Sequence, residues 1–156
     1  MAMNKAHHPL PWPARLVRRL ALAAALACAG AARADLYVVV HAGNPQRAMA
    51  QKEVVDLFMG RSRTFAQGDF ALPFDLPRDS AVRERFYQAL TGQSLAQVNS
   101  YWSRLMFTGQ TMPPQALPGE SAVADLVRRN PSAIGYLSTE PTDKGLRVVL
   151  VLKEPH

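Results

Sequence analysis

The stretch from Leu72 to Leu90 constrains the fold more than any other part of the chain. Leu72 to Asp75 reads as a short strand, Pro77 punctuates a turn, and an amphipathic helix opens at Asp79 or Ser80. Asp79 and Ser80 are both favoured N-cap types, and Pro77 disfavours a helical residue before it. Val82, Phe86 and Leu90 recur every four residues and so share one helical face. A strand that feeds a helix N-terminus is half of an α/β unit. Arg78, Ser80 and Arg83 gather at that opening, where unpaired N–H groups and the positive dipole end favour an anion. The same residues allow a plainer arrangement, in which Asp79 caps the helix itself and the arginines are solvated surface.

Elements of the same kind flank this stretch. Asp35 to His41 is a nearly continuous apolar run, the pattern of a strand covered on both faces as in a parallel sheet. A helix is expected from about Ala48 to Met59, closed by Gly60, with a polar loop from Arg61 to Asp69. Thr91-Gly92 ends the central helix, and Ser94 with Gln97 has capping-box spacing for a third. Leu95, Val98, Trp102, Leu105 and Met106 form the apolar stripe of that third helix. Gly109 to Gly119 contains three prolines and must be extended or turning. A fourth helix spans about Ser121 to Arg129, with Arg128 and Arg129 complementing its C-terminus before Asn130-Pro131. Ala133 to Leu137 and Arg147 to Leu152 are the remaining strands. The alternation predicts one α/β domain with a mixed, mostly parallel sheet flanked by helices.

The beginning of the chain reads differently. Arg15, Arg18 and Arg19 precede Leu20 to Ala32, built almost wholly of alanine and leucine, and Ala32-Arg33-Ala34 supplies small residues for cleavage. Residues 1–34 are therefore expected to be a signal peptide, and residues 35–156 the working domain. This leader holds five basic residues and no acidic one; of 18 basic and 12 acidic residues in all, 13 and 12 remain, a net charge of +1 rather than +6. That balance, with no basic run interleaved with aromatics, argues against nucleic acid as a partner. Cys28, the one cysteine, lies inside the leader. A lipoprotein signal there would read Ala25-Leu26-Ala27-Cys28, with alanine where leucine is usual, so lipidation is not expected.

Catalytic chemistry finds little to work with. Beyond the leader there is no cysteine nucleophile, no Gly-x-Ser-x-Gly elbow, no phosphate-binding glycine loop and no dinucleotide fingerprint. His41 and His156 are too few for a histidine-rich metal site. Neither an enzyme nor a cofactor or metal protein is expected. Trp102, Phe58 and Phe86 sit on helical stripes and are assigned to the core.

The order of residues resembles the phosphate-binding proteins of bacterial ABC transporters, in the type II periplasmic binding-protein superfamily. The likeness rests on Val38-Val39-Val40 with Asn44-Pro45, on Val55 to Arg61, and on Pro73, Arg78, Ser80, Arg83 and Phe86. It continues through Trp102, Phe107, Gly109, Pro113 and Pro114 to Asn130-Pro131-Ser132-Ala133-Ile134-Gly135-Tyr136. The resemblance implies one lobe of a two-lobed binding protein, a periplasmic location, and an anion site at Arg78, Ser80 and Arg83. Two departures weaken the site. The chain is expected to supply only one wall of the cleft, and Ala81 and Val82 stand where the family has glycine and threonine, which removes a hydroxyl donor and crowds the backbone.

Two or three charge-assisted hydrogen bonds at about 1.5–3 kcal/mol each must offset several kcal/mol of lost ligand freedom. Binding in the millimolar range follows, since 1 mM corresponds to about −4 kcal/mol. Two functions are therefore carried forward. One is an exported lobe that contacts phosphate or another small oxyanion. The other is a lobe kept as a protein-interaction module, docking on a membrane sensor or transporter without a solute.

Overall fold

The computed structural model describes residues 35–153. The expected leader and His156 lie outside them. Five strands, β1 (Leu36–His41), β2 (Leu72–Asp75), β3 (Gln115–Ala116), β4 (Ala133–Leu137) and β5 (Leu146–Leu152), form one sheet. Four helices connect them: α1 (Gln51–Phe58), α2 (Ala81–Thr91), α3 (Leu95–Phe107) and α4 (Glu120–Arg129). The sheet order is β3-β2-β4-β1-β5.

The mixed α/β lobe expected from the sequence is present, with its two pairing types in equal number. β2 runs parallel to β3 and β4, while β1 is antiparallel to both β4 and β5. The apolar run of β1 reports burial on both faces, as its pattern suggested, but not parallel pairing. Leu36, Val38, Val39 and Val40 are fully buried in a central strand whose two neighbours are both antiparallel. The β1–β5 register slips between Val38 and Val39, which leaves Val149 as the extra residue of a bulge. The Val149 carbonyl accepts from Met49 N–H at 2.8 Å, so the chain entering α1 covers part of this edge.

Alternation along β4 shows how the layers are arranged. Gly135 faces α4 so closely that a Cβ there would collide with Val123. Its neighbour Tyr136 points to the opposite face and stacks on Phe86 of α2, with centroids 3.7 Å apart and planes within 2°. Helices therefore cover both faces. Phe58 of α1 packs edge-on against both rings, at 4.9 Å from Phe86 and 5.9 Å from Tyr136.

The helix ends follow their sequence signals. Ser80 caps α2 by accepting from Arg83 N–H at 3.3 Å, and Gly92 ends it in the left-handed region at φ 72°. Ser94 and Gln97 form the capping box of α3. Two features of the loops escape periodicity. Phe65 is buried within the stretch expected to be a polar loop, beside a Thr64–Phe70 bridge, and the proline-rich segment contributes β3. No described helix is long and apolar enough to cross a membrane.

Candidate functional site

β2 and β4 are parallel, and both end where α2 and α4 begin. Open α/β sheets hold ligands outside the carboxyl ends of such strands, against helix N-termini. A cleft of about 270 Å³ occupies that position, between Leu76–Ser80 and Pro118–Glu120. Its charged lining residues are Asp79 and Glu120, both acidic. Glu120 accepts from Ser138 N–H at 2.6 Å and from the Ser138 hydroxyl at 2.8 Å, which ties the start of α4 to the end of β4.

The three residues expected to hold an anion have separate surroundings. Ser80 lines the cleft and caps α2. Arg78 is exposed to solvent. Arg83, in the first turn of α2, is withdrawn into the protein and only 5% exposed. Its Nε donates to Asp75 Oδ2 at 2.8 Å, its Nη1 reaches Asn99 Oδ1 at 3.4 Å, and its guanidinium lies 5.0 Å from the Tyr87 ring centroid.

Asp75, the last residue of β2, is the hub of this network and is 3% exposed. Oδ2 accepts from Arg83 and from the Tyr87 hydroxyl at 3.0 Å. Oδ1 accepts from the Tyr136 hydroxyl at 2.5 Å and from Leu76 N–H at 2.8 Å. Four donors match the four lone-pair positions of a carboxylate. Burial disfavours charge on Arg83, but the facing Asp75 carboxylate more than offsets it and the guanidinium pKa is raised. Burial and then the Asp75 charge push both the Tyr87 and Tyr136 phenols above their ordinary range. Sequence reasoning missed Asp75, Tyr87 and Tyr136. The available signal was Arg83 at i, i+3 and i+4 from Phe86 and Tyr87, which places an arginine on the apolar face of its own helix.

A second, larger concavity of about 450 Å³ lies beside β2. Phe70 to Phe74 form one wall and Gly109 to Gln115 the other, with buried Trp102 and Leu57 also contributing. The proline-rich chain bows away from β2 before it pairs as β3, and the groove is the space left between them. Arg63 Nη2 reaches Thr111 Oγ1 at 3.5 Å. Phe70 is 53% exposed and Met112 is 73% exposed, both lining the groove. Met106 and the 94% exposed Phe107 end α3 just before its second wall. Among the described residues, no group of three or more His, Cys, Asp or Glu could hold a metal ion.

No protein-family model matches the chain, and no curated protein matches it. Solved structures do. One is described as a phosphate ABC transporter substrate-binding protein from Clostridium perfringens with bound phosphate, at 19% identity and a TM-score of 0.59 over 74% of this chain. Another is an ABC-type phosphate transport receptor from Vibrio cholerae, at 17% identity and a TM-score of 0.58 over 74% of this chain. The chain spans 45% and 46% of those two proteins. Its fold is that of a single lobe of a phosphate ABC transporter substrate-binding protein, and the structures it resembles are binding proteins.

Proposed function

We propose that this chain is an exported, periplasmic, non-enzymatic binding-protein lobe that works as an interaction module. In this reading the groove beside β2 receives an apolar segment of a membrane sensor or transporter subunit, and the lobe does not gather free phosphate. One observation carries the proposal. Of the five large apolar side chains exposed among the described residues, Phe70, Met106, Phe107 and Met112 stand on the groove or on the helix end leading into it. Exposed apolar side chains gathered at one rim mark an interaction surface, and methionines adapt readily to a partner. The export part of the reading rests on the arginine-flanked apolar run before Ala34.

Likeness to a protein with bound phosphate favours a second reading, a weak oxyanion contact at Arg78, Ser80 and Arg83. The cleft at that helix opening has acidic lining and Arg83 is engaged elsewhere, so docking has the stronger support.

A photocrosslinking amino acid at Met112 or Phe107, in the protein expressed in its own envelope, tests the docking reading. One membrane-protein adduct is expected from these positions and none from Gln88, exposed on α2. Phe70→Ser should abolish the adduct. Equal labelling at Gln88, or none at Met112 and Phe107, overturns the reading.

A further inference from the structure

We propose that Asp75 is an internal ligand. Its carboxylate fills the anion position built by Arg83, Tyr87, Tyr136 and the Leu76 N–H, and it closes that position to free oxyanions. Three observations carry this. The first is place: Asp75 ends β2, Tyr136 lies on the parallel neighbour β4, and Arg83 sits in the first turn of α2. That is where an open α/β sheet holds its ligand. The second is saturation, since each carboxylate oxygen takes two donors and none of its four lone-pair positions remains. The third is charge. One buried guanidinium faces one buried carboxylate, so a phosphate added beside them would leave a buried negative charge uncompensated. Leu76 lines the cleft while its N–H serves the network, so the filled position adjoins the cleft directly.

Removing the carboxylate should therefore uncover a site that prefers a small anion of the same shape. The experiment compares the wild type, Asp75→Ala, and Asp75→Ala with Arg83→Met, by thermal unfolding in formate or in pivalate, a carboxylate too bulky for the vacated space. Formate should raise the Tm of Asp75→Ala saturably, by roughly 5 °C or more. Pivalate should not, and neither the wild type nor the double variant should respond to formate. If Asp75→Ala is unfolded without formate, recovery of its far-UV circular dichroism on adding formate is the same positive result, and no recovery overturns the proposal. Asp75→Asn provides a second check, because it removes the charge while keeping the volume. It should be destabilised yet insensitive to formate; a response equal to that of Asp75→Ala overturns the proposal. Calorimetry of the wild type with inorganic phosphate should give flat heats, and saturable binding lost in Arg83→Met would also overturn it. None of these readouts involves a partner protein, so the docking reading stands or falls separately.

Discussion

At the scale of single residues, the two arginines of the α2 opening differ in what they do. Arg83 is buried against Asp75, and removing one member of a buried pair strands the other without compensation. Arg83→Met should cost about 3–5 kcal/mol of stability, read from urea unfolding. Arg78, being exposed, should tolerate alanine within about 0.5 kcal/mol. Equal, small losses at both positions would mean that the Arg83–Asp75 pair is not formed in solution. The comparison also separates structure from ligand binding, because a purely ligand-binding arginine leaves the unligated protein as stable as before.

At the scale of elements, α3 shows how far an apolar stripe can be trusted. Val98 and Trp102 are buried, Leu95 and Leu105 are half-buried, and Met106 at the end of the stripe is 42% exposed. The helix runs out past the edge of the core, so its last turn has no layer to pack against. Trp102 meets Gly60, whose φ of 69° needs the left-handed region and whose missing Cβ leaves room for the indole edge. Trp102→Ala should cost about 3–5 kcal/mol, whereas Met106→Ala should stay within about 0.5 kcal/mol as an exposed substitution. Comparable losses in urea unfolding would reverse the assignment of inside and outside on this helix.

At the scale of the whole molecule, the buried network makes stability depend on pH at the alkaline end. The Tyr87 and Tyr136 phenols have folded pKa values raised by burial and by the Asp75 charge. In the unfolded chain they titrate near 10 (about the ordinary tyrosine value), so above that pH the unfolded state loses protons that the native state keeps. Stability from these groups is complete below about pH 10 and falls above it, by up to about 1.4 kcal/mol per pH unit for each phenol. Urea midpoints measured from pH 8 to 11.5 should decline past 10. Tyr136→Phe should lower the starting stability and make the decline shallower. An unchanged slope would show that Tyr136 is ionised normally in the folded protein.

Much of this architecture is legible in the amino-acid sequence. β2 and β4 fall to the residue where short apolar runs between turn signals predict them, Ser80, Ser94 and Gly92 mark helix ends, and the order of motifs points to a single binding-protein lobe. These features are local, depending on residues within one or two turns of each other. Strand direction was not local: the apolar run of β1 reports burial on both faces, and pairing with β4 and β5 decided that it is antiparallel. The site was the least legible part. Asp75 and Tyr136 are 61 residues apart and meet through the β2–β4 pairing, while Arg83 lies eight residues from Asp75 across a turn. Local signals are enough to put a serine and two arginines at a helix opening. That one of those arginines turns inward follows from long-range pairing, because a carboxylate at the end of β2, held by two phenols, offers its charge a better-satisfied position than solvent at the cleft.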